Sequence, residues 1–300
     1  MPVIRSASIT LLLITVNLLQ PGRAQAQDIE PRRWTPLPPG LNVVGGGAVV
    51  SRGDVFFDPA LQVEDADFEA YTFGMSYVRS FQVGSKLARF DLTVPWQHAR
   101  YTGLLEGEPA SVLRVGLMDP VFRFSVILAG DNPPPDATST TVVGAALSVT
   151  APVGEYFEDK LINLGQNRWV FRPQAGVVHT RGQWSYELTG SAYLFTENDE
   201  FFGDVTRKQD PLFAVQGHII YAFRRRGHWT SLSIGYGGNG QSIIDGNRVD
   251  DDKRMVLTAL SYGMPLMGNQ SLKFAYLRSR TNVPNGSDVD SLAIAWSLRF

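Results

Sequence analysis

Beyond residue 40 the chain repeats one pattern. Runs of roughly 10 to 14 residues alternate apolar with small or polar side chains, and each run ends in a connection. Twelve runs fall near 41–51, 69–80, 86–98, 119–129, 139–151, 169–179, 183–196, 211–224, 228–241, 253–265, 269–281 and 288–300. In the last, Leu292, Ile294, Trp296, Leu298 and Phe300 share one face, and Ser291, Ala293, Ala295, Ser297 and Arg299 share the other. The connections sort by parity. Those after even-numbered runs are mostly short, such as Thr180–Gly182, Arg225–Gly227 and Leu266–Gly268. Those after odd-numbered runs are mostly longer and richer in acids, such as Arg52–Phe68, Ala99–Met118, Pro152–Arg168, Glu197–Asp210 and Ser242–Asp252. A soluble sandwich has no reason to sort its loops this way, whereas a transmembrane barrel has short turns at one rim and long loops at the other. In lipid every backbone N–H and C=O must be paired, so a sheet can span only if it closes. The predicted fold is therefore all-β: a single twelve-stranded antiparallel transmembrane barrel over residues 41–300, in the bacterial outer membrane. An even strand count puts both termini on one side, expected to be the periplasmic side.

Composition narrows the rest. A 44% hydrophobic content excludes wholesale disorder, and no mature stretch reaches the 18 or so apolar residues of a spanning helix. The formal net charge is −2, with no long basic block, so nucleic acid is excluded as a partner. With no Cys, there are no disulfides, thiolate metal sites, cysteine nucleophiles or lipid-anchor cysteines. Residues 1–26 read as a secretory signal: Arg5, an apolar stretch from Ile9 to Leu19, the breakers Pro21 and Gly22, and an Ala24-Gln25-Ala26 cleavage site. Residues 27–40 form a separate N-terminal segment. Trp96, Trp169, Trp184, Tyr221, Phe223, Trp229 and Phe300 lie toward run ends, as an interfacial girdle requires. The expected partners are outer-membrane lipids and lipopolysaccharide, a small-molecule solute, and the outer-membrane assembly machinery, read through the terminal Phe300.

Several segments carry a family resemblance: Gln27-Asp28-Ile29-Glu30-Pro31-Arg32-Arg33-Trp34-Thr35-Pro36, Gly53-Asp54-Val55-Phe56-Phe57-Asp58-Pro59 and Gly116-Leu117-Met118-Asp119-Pro120. To these are added Lys160-Leu161-Ile162-Asn163-Leu164-Gly165-Gln166-Asn167-Arg168-Trp169 and Gln209-Asp210-Pro211-Leu212. Together they resemble the bacterial outer-membrane family labelled putative MetA-pathway of phenol degradation, along nearly the whole mature chain. The resemblance implies an outer-membrane barrel that moves small aromatic or otherwise apolar molecules. It implies no catalytic residues, and phenol itself does not follow from it.

Charges are costly facing lipid, so alternation assigns Arg89, Asp91, Arg123, Arg172, Glu187, His218, Lys273 and Arg299 to the interior. They either line a wet pore, where the basic excess favours anions, or pair across a filled lumen. The Pro-rich segment Pro31–Pro39 cannot join a β ladder. With Arg32, Arg33 and Trp34 it either folds into the lumen as a partial plug or stays a free linker. No catalytic, cofactor or metal site is expected. Gly235-Tyr236-Gly237-Gly238-Asn239-Gly240 matches a dinucleotide fingerprint but lies in a strand with no helix after it. Asp245–Asp252 fails a calcium loop, with Val249, Asp250 and Val256 where Asp or Asn, Gly and Glu are required. His98, His179, His218 and His228 have no metal-binding spacing. The favoured function is a passive channel for small molecules. The alternatives are a phospholipase-like membrane hydrolase, which would need a His–Ser pair at hydrogen-bonding distance, with His218 as base, and a structural barrel with a closed lumen.

Overall fold

The computed structural model describes residues 29–56, 63–130, 137–203, 205–281 and 286–300. The signal segment at 1–26, residues 27 and 28, and Asp58-Pro59 lie outside them. Among the described residues there are strands and no helix.

In chain order the strands are β1 (Asn42–Phe56), β2 (Val63–Val83), β3 (Lys86–Leu105), β4 (Glu108–Leu117), β5 (Val121–Ala129), β6 (Ser139–Thr150), β7 (Val170–Arg181) and β8 (Trp184–Phe195). There follow β9 (Asn198–Phe201), β10 (Val205–Gln209), β11 (Leu212–Ala222), β12 (Trp229–Asn239), β13 (Ser242–Ile244) and β14 (Asn247–Arg248). The chain finishes with β15 (Lys253–Pro265), β16 (Gln270–Thr281) and β17 (Gly286–Arg299). All wall pairings are antiparallel, and the sheet closes where β1 pairs with β17 along fourteen residue pairs. β4 and β5 occupy one wall position. β3 pairs with β5 along Ala88–Thr93 and with β4 along Trp96–Leu105, and Met118-Asp119-Pro120 breaks the strand between them. The wall therefore has twelve strand positions.

Period-two alternation sorts the two faces. Phe73, Met75, Leu188, Phe213, Leu232, Ile234, Leu260 and Leu292 are exposed outward, as a lipid-facing surface requires. The interior is polar and pairs in part with itself: Ser51 bonds Ser291 at 2.8 Å, Gln97 donates to Thr72 at 2.8 Å, and Ser271 bonds Ser297 at 2.8 Å. Aromatic contacts lie toward both ends of the barrel. Trp184, Tyr221, Phe223 and Tyr262 form a chain at the terminus end, with centroids 4.7, 5.2 and 6.4 Å apart. Phe73–Trp96 and Tyr71–His98 lie toward the loop end. Trp229 departs from the expected girdle. It is on the inward parity of β12, and its ring lies under the Arg32 guanidinium at 5.4 Å.

Three expected loops contain ordered strand. Residues 99–117 continue β3 and return as β4 through a tight turn at Glu106 and Gly107, both with positive φ. Above the membrane the outward face need not be apolar, so Arg100 and Thr102 hide the alternation. The inward face still packs: Ala99 and Tyr101 are buried with Val55, Ala70 and Ile162. The acid-rich stretches 197–210 and 242–252 form a second, four-stranded sheet, β14-β13-β10-β9, over the loop end. It is held by Phe201, Val205, Ile244 and Val249, with Leu161 and Phe202 against them. Within it Asp251 accepts the Ser242 N–H at 2.6 Å and its hydroxyl at 2.7 Å, and Asp252 pairs with Arg254 at 3.2 Å.

Candidate functional site: the barrel interior

The interior is built in rows, because antiparallel register places inward residues of neighbouring strands side by side. Asp91, Arg123, Ser148 and Arg172 share one row across β3, β5, β6 and β7. Gly144, Gly176, Thr189 and Gln216 share another, across β6, β7, β8 and β11. Val142, Val178, Glu187, His218 and Ser233 form a third, one step closer to the termini.

Residues 29–40 run through this interior. Trp34 is fully buried and packs on Ile127, Val142, Ala146 and Val178. Its indole Nε1 donates to Thr189 Oγ1 at 2.8 Å. It lies directly over the two row-mates Gly144 and Gly176. A Cβ at Gly144 would sit 2.3 Å from the ring, and one at Gly176 2.0 Å from Nε1. Glycine is required at both positions for this close approach. Burying an indole contributes about 4–6 kcal/mol from about 200 Å² of surface. A chain carrying Gly176→Val should still fold as a barrel but lose this contact. Limited trypsin digestion checks it: the unaltered chain should resist cleavage after Arg32 and Arg33, and the variant should be cut there.

Glu187 fixes the turn before the tryptophan. Its Oε2 accepts the Arg32 N–H at 2.9 Å and its Oε1 accepts the Arg33 N–H at 3.2 Å. Arg32 has φ of 69°. Arg33 reaches back to Glu30 at 2.6 Å, and Arg123 approaches the same carboxylate at 3.5 Å. Burial alone would raise the Glu30 carboxyl. Arg33, Arg123, Lys273 and Arg89 outweigh it and hold the group well below the usual carboxylate range, so it stays ionised at any physiological pH. Ile29 packs on Leu257, Ala259 and Leu277, with Gly235 leaving room for its side chain 3.3 Å from where a Cβ would stand. That is what the first glycine of the fingerprint-like segment does. At the far end, Gly40 N donates to Ser80 O at 2.9 Å and Ser80 Oγ donates to Pro38 O.

The other charged positions fall in several places. Arg89 binds Asp91 through Nε at 2.8 and 2.9 Å, Arg123 Nε donates to Ser148 at 3.0 Å, and the Arg172 guanidinium stacks 4.5 Å over Tyr193. Lys273 projects inward from β16 near Glu30. Arg299 has inward parity but is exposed at the terminus rim, away from the rest. His218 does meet a serine, Nδ1 to Ser233 Oγ at 2.8 Å. Both residues are buried on the inner face, and the acid in their row, Glu187, is engaged by the backbone of the N-terminal turn.

Sequence reasoning missed one structural feature, a seam in the wall. β6 ends at Thr150, paired with Val121 and Val170, and above it, among the described residues, the second edge of β4 has no strand beside it. Residues 151–168, which include the motif Asn163-Leu164-Gly165-Gln166-Asn167-Arg168, fill the space. Asp119, buried, accepts the Gly154 N–H at 2.9 Å and the Gln166 N–H at 2.7 Å. Glu155 N donates to Leu117 O at 2.8 Å, and Arg114 Nε to Ile162 O at 2.6 Å. Asn167 Nδ2 donates to Asn198 at 3.0 Å, tying the seam to the cap sheet. The outer surface here exposes Leu113, Val115, Leu117, Val153, Phe157 and Trp169. The signal for this feature was the pairing of a strand-breaking Asp-Pro with the downstream motif.

A closed twelve-stranded wall with a lipid-facing apolar exterior and a polar interior defines a bacterial outer-membrane β-barrel. Within that class, the chain belongs to the family described as Putative MetA-pathway of phenol degradation, whose model matches residues 42–287. Among solved structures it is similar to an outer membrane channel from Pseudomonas putida F1, with 21% identity and a TM-score of 0.78, over 91% of this chain and 100% of that one. A more distant likeness is to the beta domain of the Bordetella autotransporter BrkA, at 10% identity and TM-score 0.47, over 86% of this chain and 99% of that one. No curated protein matches the chain.

Proposed function

We propose that this barrel is a passive outer-membrane channel for small aromatic or otherwise apolar molecules, not a catalyst. Its termini face the periplasm, and residues 29–40 act as an axial plug. One observation carries the reading: the lumen is filled along its axis while the wall has an unladdered seam faced with apolar side chains. The seam begins where Met118 N meets Pro95 O on β3, about ten residues above the turn at Lys86. At ~3.3 Å per residue and ~40° tilt that is about 25 Å, the upper edge of an apolar band of similar height. A molecule dissolved in the outer leaflet meets the seam there. The resemblance to a channel in fold supports this reading. The test is solute flux into liposomes holding the purified mature chain, with parallel ion conductance in a planar bilayer. Flux of a small aromatic compound above protein-free liposomes, with low ion conductance, is the expected result. Equal rates with and without protein for every solute would refute it and favour a structural barrel.

A further inference from the structure

We infer that the interior holds a binding site for a small organic carboxylate, between the N-terminal segment and the β2–β5 wall. The site deepens the channel reading by naming a substrate class, and its role in transport rests on that reading. The binding itself does not.

Three observations meet at one place. First, there is a cavity of about 190 Å³ lined by Glu30, Ser76, Val78, Arg89, Asp91, Thr93, Val121 and Arg123. That is the space of roughly six waters at about 30 Å³ each, enough for one small ring acid. Second, the charges around it do not balance. Among the described residues within the barrel, Arg32, Arg33, Arg89, Arg123, Arg172 and Lys273 accompany only the carboxylates of Glu30, Asp91 and Glu187. Asp91 is taken by Arg89, and Glu187 by the backbone N–H groups of the turn. Glu30 alone is left for Arg33, Arg123 and Lys273. Third, Arg33, which lies outside the cavity lining but bonds Glu30 at its edge, is buried with its Nε and Nη1 unmatched, and the Arg123 contact to Glu30 is long at 3.5 Å. Excess buried positive charge is costly unless an anion accompanies it.

The lining selects the anion. Arg123 offers a guanidinium fork suited to a planar carboxylate, while Ser76 and Thr93 supply hydroxyls. Val78 and Val121 present apolar walls that a hydrated inorganic ion does not use. A carboxylate bound to Arg123, with its apolar part against the two valines, satisfies both halves of the lining.

Equilibrium dialysis of radiolabelled benzoate against the full mature chain in detergent tests this without any flux measurement. Benzoate should saturate near one per chain, and neither benzyl alcohol nor equal chloride should displace it. Arg123→Gln and Lys273→Met should each weaken binding about tenfold or more, the scale expected for loss of a charged partner. Glu30→Gln removes the resident competitor and should tighten binding. Folding of each variant is read by heat-modifiable migration on gels. Lys273 is on β16, outside the cavity lining but near Glu30, so its variant decides the matter if Arg123→Gln does not fold. Lack of saturation, displacement by benzyl alcohol, or equal displacement by chloride overturns the site. A chain that passes apolar solutes yet fails to bind benzoate removes the site and leaves the channel. One that binds benzoate and passes nothing keeps the site and removes the channel.

Discussion

Deleting residues 28–38 should raise single-channel ion conductance several-fold over the full mature chain and make the channel anion-selective. Residues 29–38 run through the lumen, with Trp34 seated over Gly144 and Gly176 and the turn at Arg32 and Arg33 held by Glu187. Removing it vacates that axis without touching a wall pairing, since the first ladder begins at Asn42. The deletion also takes away Glu30, Arg32 and Arg33. Among the described residues, Arg89, Arg123, Arg172 and Lys273 then face only Asp91 and Glu187 across a wider, wetter bore. In such a bore a ring of excess cations raises the local anion concentration. The measurement is conductance and reversal potential under a salt gradient in a planar bilayer. Unchanged conductance from a properly folded deletion would show that the barrier to ions lies elsewhere, and the plug reading would fall.

Much of the barrel was legible because lipid imposes a strict rule on the spanning strands. One face must be apolar, and the period is two, so Leu292 to Phe300 or Phe213 to Ile219 announce both strand and facing. The rule lapses outside the apolar band. The upper halves of β3 and β4 carry Arg100, Thr102, Ser111 and Glu108 on or near their outer faces, and so read as a loop although they form a ten-pair ladder. The cap sheet was hidden for a related reason. Its strands are two to five residues long, too short to show a period, and its core of Phe201, Val205, Ile244 and Val249 draws on two separated stretches. The same alternation assigns Glu187 and His218 to one face, and register puts them in one row. What alternation cannot give is the partner across the lumen. That Glu187 would accept backbone N–H groups, and that two glycines 32 positions apart would become row-mates beneath one indole, follow only from register. Trp229 shows the converse limit: an aromatic near a strand end reads as girdle, and only its odd parity on β12, shared with Ser231 and Ser233, turns it inward to Arg32.

The second large effect concerns the seam, and it should separate cleanly from the first. Asp119→Ala should increase the flux of a small aromatic solute while leaving ion conductance close to that of the unaltered chain. Asp119 sits in the strand break, and its two carboxylate oxygens receive the N–H groups of Gly154 and Gln166. These residues belong to the segment that stands in for a missing strand beside β4. Hydrogen bonds to a charged group contribute about 1.5–3 kcal/mol each, and loss of both leaves two N–H donors unmatched. A shift of about 3 kcal/mol would change the ratio of open to closed seam roughly a hundredfold. Elsewhere the wall cannot respond in this way, because neighbouring strands share ladders of six to nineteen pairs that open only together. The Leu117–Glu155 and Arg114–Ile162 bonds, with the link from Asn167 to the cap, keep the segment attached, so the barrel should remain folded. Asp119→Asn, which keeps an acceptor for one of the two N–H groups, should fall between. Because the axial segment is untouched, ions gain no new path. If the folded alanine variant carries the aromatic solute no faster than the unaltered chain, passage does not run through the seam. If it instead conducts ions as freely as the 28–38 deletion, the seam and the axis are one pathway, and the lateral route for apolar solutes is wrong.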